Sequence, residues 1–188
     1  EVALVEYGLG AIADTRPLSV VVGGLGMGVT ADAALNDPRI ESLIIVEKLA
    51  PVIGWHERGL IPLGKRLGDD PKCRFVEGDF FQMAAGKTGF DPAEPAQKFD
   101  AILLDIDHAP DFHLAPAHAG FYQPDGLAQL RQHLTDGGVF ALWSNDPPDA
   151  AFTARLQSVF QSANAVDVPF FNPLQDREFI QSIYIAHR

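Results

Sequence analysis

SVVVGGLGMGVT, residues 19–30, is the stretch on which the fold turns. A β-branched run ends in glycines at Gly23 and Gly24, and Val29 to Leu35 then reads as a short helix stopped near Asn36, Asp37 and Pro38. The order is strand, glycine-rich turn, helix. Glycines recur at every second position, Gly24, Gly26 and Gly28, so the backbone here can approach a ligand closely. A dinucleotide-binding turn would space its glycines G-x-G-x-x-G, but the third one is due at position 29, which is Val29.

Outward from this turn the pattern repeats. Leu43 to Glu47 (LIIVE), Arg74 to Glu77, Ala101 to Asp105 (AILLD) and Val139 to Trp143 read as further strands, alternating with helix-like segments or turns. Pro51 suits the first turn of a helix carrying Val52, Ile53 and Trp55. Leu127, Leu130, Arg131 and Leu134 mark another helix, predicted to stop at Gly137 and Gly138. A further one is predicted from about Ala150 to Ala163, with Phe152, Leu156, Val159 and Phe160 on one face. Two closing apolar runs, Val166 to Phe171 and Phe179 to Ala186, lie too close together for a helix between them and are predicted to pair antiparallel. The expected fold is α/β: a Rossmann-like, seven-stranded, mostly parallel sheet with a C-terminal antiparallel hairpin and helices on both faces. Residues 1–188 are expected to form one domain, in which residues 1–18 are either a leading helix or the remnant of a preceding segment.

Composition narrows the function. An apolar fraction of 47% supports a real core, and no apolar run approaches the roughly 18 residues that span a bilayer. The first residues lack the basic-then-apolar order of a signal peptide, so the expectation is a cytoplasmic protein without a membrane partner. A net charge of −11, with scattered Lys and Arg, argues against nucleic acid as a partner but is compatible with a cationic substrate such as a polyamine. The single cysteine, Cys73, excludes an internal disulfide and a thiolate-built metal site. His108, His113 and His118 recur in a Pro-containing loop that has no helix or strand spacing to gather them, so no metal is expected. Ser144 lacks the G-x-S-x-G elbow of a hydrolase nucleophile.

Carboxylates stand at the ends of the strands, where open α/β sheets bind ligands. Glu47 lies about 20 residues past the glycines, the distance at which an acid can accept hydrogen bonds from both ribose hydroxyls. Asp79, in VEGDFF, is placed either to accept a bond from an adenine amino group, with Phe80 packing near the base, or to cap the helix that follows. Asp105 ends the fourth strand and is the first choice for chemistry. Asp107 shares its loop, and two nearby carboxylates can differ enough in proton affinity for one to act as a base.

At these residues the chain resembles the spermidine synthase family, the polyamine aminopropyltransferases, within the class I S-adenosylmethionine-dependent methyltransferase superfamily. It resembles in particular the short bacterial spermidine synthase-like branch. The resemblance runs from about Pro17 to Asn145, through VVVGGLGMGVT, LIIVEKLAPVIGW, RFVEGDFF, FDAILLDIDHAP, the following GFY and LTDGGVFALWS. It implies a decarboxylated S-adenosylmethionine donor laid across Gly24, Gly26 and Gly28, with Glu47 on the ribose and Asp79 near adenine. It further implies that Asp105 helps deprotonate an attacking amine, and that the protein is a homodimer. Two positions depart from the family. Gly26 stands where the family carries an Asp that holds the donor's free amine, and Asp105, Ile106, Asp107, His108 and Ala109 stand where it carries D-S-S-D-P. Methyl transfer from S-adenosylmethionine itself, and a nucleoside-binding module without catalysis, are the alternative expectations.

Overall fold

Strand β1 (Leu18–Gly23) forms where Val20, Val21 and Val22 have no exposed face. The computed structural model, which describes residues 1–188, shows why so unbroken an apolar run is tolerated. Val20 and Val22 point into one core and Val21 into another, on opposite faces of the sheet. The same alternation continues in β2 (Ile40–Glu47), β4 (Phe99–Leu104) and β5 (Leu134–Ser144). Fully burying one such side chain contributes on the order of 2 kcal/mol, so the central strands are held from both sides.

The sheet has the order β3-β2-β1-β4-β5-β7-β6, with β3 at Cys73–Glu77. Strands β1 to β5 pair in parallel, and β6 (Ser162–Asn172) and β7 (Arg177–His187) form the antiparallel hairpin, β7 pairing with β5. Helices α1 (Val2–Gly10), α2 (Val29–Leu35), α3 (Ala50–Glu57) and α4 (Gly64–Asp69) bury Leu4, Ala31, Ile53 and Leu67 on one face. On the other face α5 (Phe80–Ala85), α6 (Pro124–Arg131) and α7 (Ala150–Val159) bury Phe80, Leu127, Leu130, Phe152 and Leu156. This is the α/β layout expected from the sequence. No helix is long and apolar enough to cross a membrane.

Within residues 1–18, Val2–Gly10 form helix α1 and Leu18 begins β1. Leu4, Val5 and Leu9 of α1 are buried, and a β-carbon at Gly8 would collide with Leu103, so the helix lies directly on the sheet. The Arg39 guanidinium fastens its far end by donating to the carbonyl oxygens of Leu9 and Ile12 at 2.9 and 2.7 Å. Two helices are shorter than predicted. α6 ends at Arg131, and Leu134 begins β5 opposite Phe99; the glycines expected to stop a helix sit inside the strand instead, where the register shifts between Phe99 and Ala101 and Gly137 takes a φ of 77°. α7 ends at Val159, and Ala163 already pairs with Ala186 in the hairpin.

Candidate active site

Strand order reverses at β1, whose neighbours are β2 on one side and β4 on the other, and ligands of open α/β sheets bind in the crevice at such a reversal. A row of backbone hydrogen bonds gathers the strand tips there. Gly78 N donates to Glu47 O at 2.9 Å, Gly24 N to Val46 O at 3.0 Å, and Asp105 N to Gly23 O at 2.9 Å. The turn can lie this close because it lacks side chains. Gly24 has a φ of 95°, and a β-carbon on it would run into the carbonyl oxygen of Asp105. Gly28, with a φ of 86°, leads into α2 against Leu67 and His56. A β-carbon at Gly26 would meet nothing within 4 Å.

Glu47 closes this turn from β2. Its Oε2 accepts from Leu25 N at 3.2 Å and its Oε1 from Leu49 N at 2.8 Å. A carboxylate offers about four lone-pair sites, so two such bonds orient the group and leave capacity for a ligand's hydroxyls. Asp79 carries the second of its two predicted roles in full. It caps α5, with Oδ1 accepting from Phe81 N at 3.0 Å and Gln82 N at 3.2 Å, while Oδ2 pairs with Lys48 Nζ at 2.8 Å. Burial works to raise its proton affinity, but the Lys48 ammonium and the two N–H groups outweigh that and hold Asp79 below the usual carboxylate range.

Asp105 is in the opposite condition. Burial raises its carboxyl above the ordinary range, and the hydrogen bond from Thr30 Oγ1 to Oδ2, at 2.9 Å, pulls only partly back. A carboxylate with raised proton affinity beside a glycine turn is suited to take a proton.

Asp107 and Phe80 are both buried, Asp107 in a hydrogen-bonded network and Phe80 in the core. The Asp107 side chain has no exposed surface: it accepts from Leu114 N at 2.8 Å, from Tyr122 Oη at 2.9 Å and from His118 Nδ1 at 2.9 and 3.0 Å. These bonds fasten the loop after β4 to His118 and Tyr122. Tyr122, beside that charge and buried, has its phenol pushed well above the ordinary range, burial being the larger cause. Phe80 is turned into the core, stacked on Phe90 at 4.9 Å between centroids. Its neighbour Phe81 lines the surface cleft instead.

That cleft, of about 470 Å³, opens from Asp79 and Lys48 past Phe81 to His118 and Phe121. The three loop histidines are separately engaged: His118 by Asp107, His113 by the carbonyl oxygen of Pro110 at 2.8 Å, and His108 by the ring of Phe112. His118, weighed in the sequence only as a metal ligand, and His56, not singled out there, also shape the site. His118 forms part of the cleft wall. His56, fully buried, donates from Nε2 to Gly26 O at 2.9 Å and so pins the glycine turn from α3. A signal for His56 existed, since it lies three and four positions beyond Ile53 and Val52 on the inward face of that helix.

No family model matches the chain. Over 163 residues, 85% of its length, it is 27% identical to the polyamine aminopropyltransferases of Mycobacterium tuberculosis and Mycobacterium bovis. The chain spans 29% of the length of these curated relatives. Among solved structures it is similar to a spermidine synthase in complex with the transition-state analogue AdoDATO (TM-score 0.73, 18% identity, all of this chain and 61% of that one). It is also similar to spermidine synthase from Thermotoga maritima (TM-score 0.70, 18% identity, all of this chain and 59% of that one). Human methyltransferase-like protein 13 in complex with SAH shares the fold as well (TM-score 0.68, 18% identity, 98% of this chain and 80% of that one). By sequence the chain is similar over most of its length to polyamine aminopropyltransferases, and it shares its fold with two spermidine synthases and a human methyltransferase-like protein.

Proposed function

We propose that this chain is the donor-binding and catalytic domain of a spermidine synthase-like transferase, which moves an aminopropyl group from decarboxylated S-adenosylmethionine to an amine acceptor. The observation that carries the reading is the gathering of four strand tips, with Glu47 on one side of an open glycine turn and a half-buried Asp105 of raised proton affinity on the other. In this reading the spare lone pairs of Glu47 accept the ribose hydroxyls, and Asp79 marks the adenine end. The amine nitrogen attacks the carbon beside the sulfonium, a carbon–nitrogen bond forms as the carbon–sulfur bond breaks, and the electron pair of that bond returns to sulfur, leaving a thioether nucleoside. Asp105 takes the proton that the amine gives up. Holding the two reactants in line supplies much of the rate, since well-oriented intramolecular reactions reach effective concentrations of roughly 10⁵–10⁸ M.

Incubation of the chain with putrescine and decarboxylated S-adenosylmethionine is expected to yield spermidine and methylthioadenosine. No product, under conditions where a known spermidine synthase turns over, rejects aminopropyl transfer. One observation favours a second reading. The open space at Gly26 holds no carboxylate for the free amine of a decarboxylated donor, which makes methyl transfer from S-adenosylmethionine the rival. Calorimetric titration with the two donors decides between them: tighter binding of the carboxylated donor selects methyl transfer.

A further inference from the structure

We propose that His56 is a positioning residue for the donor: its Nε2–H holds the Gly26 carbonyl inward and keeps the glycine turn in the shape that binds a nucleoside, a role that rests on the nucleoside reading above. His56 is fully buried, and its Nε2 lies 2.9 Å from Gly26 O. A carbonyl oxygen can only accept, so Nε2 carries the proton whichever charge the ring bears. Little else fixes this point of the turn. Gly24 is pressed on the peptide behind Asp105, and Gly28 on Leu67 and the His56 ring, whereas a β-carbon at Gly26 would meet nothing within 4 Å. Its φ of 46° is one that glycine leaves as readily as it enters. Apart from the bond that closes the turn, from Gly28 N to Leu25 O at 2.7 Å, the His56 bond is what holds Gly26 in place. A shift there would carry Leu25 with it, and Leu25 N is a group that orients Glu47 Oε2.

Stability alone does not account for a histidine at this position. Nδ1 is buried and has no hydrogen-bond partner, and leaving such an atom unpaired costs as much as one neutral hydrogen bond returns, or more. The Gly26 carbonyl gains little from the contact, because Gly26 is exposed and water would serve it equally. Room is nonetheless kept for this residue by two glycines. A β-carbon at Gly28 would stand 3.0 Å from His56 Cε1, and one at Gly64 would stand 2.6 Å from His56 O. The ring packs near Phe75, 5.7 Å between centroids, where an apolar side chain would be buried at lower cost. What histidine adds is one N–H directed at the turn.

Methylthioadenosine, which carries the base, sugar and sulfur common to both candidate donors, is the probe. It is titrated calorimetrically into the wild type, His56→Leu and His56→Gln, and urea unfolding is measured on the same three proteins. Leucine removes both ring nitrogens; glutamine keeps an amide N–H within reach of Gly26 O. His56→Leu is expected to bind the probe about 5-fold or more weakly, the worth of one net hydrogen bond, with a urea midpoint no lower than that of the wild type. His56→Gln is expected to recover most of the affinity without being the more stable of the two variants. Equal affinity of His56→Leu and the wild type overturns the proposal and leaves the nucleoside reading standing, as does a folded His56→Gln that binds as weakly as His56→Leu. Affinity that merely follows stability across the three proteins, or a His56→Leu chain that does not fold, marks His56 as structural and overturns the proposal in the same way. Failure of the probe to bind the wild type overturns the proposal and the nucleoside reading together.

Discussion

At the amino ends of the parallel strands, Asp37, Asp91 and Asp100 each meet an arginine; at the carboxyl ends, Asp105 meets a threonine. The same side chain thus occupies two electrostatic settings about one strand length apart. Arg39 and Arg74 hold Asp37 and Asp91 below the ordinary carboxylate range. Burial works to raise Asp100, but Arg16, Ser19 N and Thr135 prevail and lower it. Asp105 is raised, with no cationic side chain paired to it. Structural acids are neutralised by arginine where they fasten loops to strand starts, and the acid with no paired cationic side chain lies where chemistry is proposed.

Breaking this contrast is most direct at its two poles. Asp105→Asn is expected to lower turnover by roughly 10²–10⁴-fold, read as product formation at saturating donor, while urea unfolding at neutral pH shows stability equal to the wild type or higher. The sign follows from linkage: a folded-state affinity for protons above that of the unfolded chain makes the ionised group a liability above that range. Asp100→Asn is expected to do the reverse. It weakens bonds to Arg16, Ser19 N and Thr135 Oγ1, and should cost about 1–3 kcal/mol in urea unfolding while leaving donor affinity unchanged. A destabilised Asp105→Asn, or an inactive but stable Asp100→Asn, would erase the distinction between the two ends.

Acid titration sharpens it. Asp37, Asp91 and Asp100 bind protons less readily folded than unfolded, so their stabilisation is complete above the unfolded value of about 3.9 and is lost as pH falls through their lower folded values. Chemical denaturation from neutral pH downward is expected to show stability falling in that acid range. The loss should shrink in Asp100→Asn. The smallest effect is expected from Thr30→Val, which removes the one hydrogen bond that lowers Asp105. The acid limb of the pH–rate profile should move to higher pH, with little change in the plateau.

Much of this sheet could be read from the chain because its information is local. Unbroken runs such as LIIVE and AILLD announce strands covered on both faces, and the strand tips carry Glu47 and Asp105 wherever the runs end. The glycine spacing likewise announced a turn pressed against a neighbour. What stayed hidden depends on contacts between distant segments. Nothing in DIDHAP reveals that Asp107 is folded inward by Leu114, His118 and Tyr122, since that requires the loop to close on itself. The choice between Phe80 and Phe81 is a matter of helix phase, set by where Asp79 caps α5. Gly137 and Gly138 were ambiguous in principle, because glycine marks both helix ends and strand irregularities.

The two glycines nearest the proposed reaction differ in a way that bears on how such a scaffold can acquire new specificities. At Gly24 even a methyl group would wedge the turn away from the peptide behind Asp105, whereas at Gly26 the space is open and only the backbone, with a φ of 46°, opposes a side chain. Two residues apart, the turn therefore offers one position closed by its neighbours and one restricted by its backbone alone. Under the proposed function, donor preference is retuned at Gly26 by residues that tolerate a positive φ, such as Asn or Asp, while Gly24 keeps the turn pressed on the peptide behind Asp105.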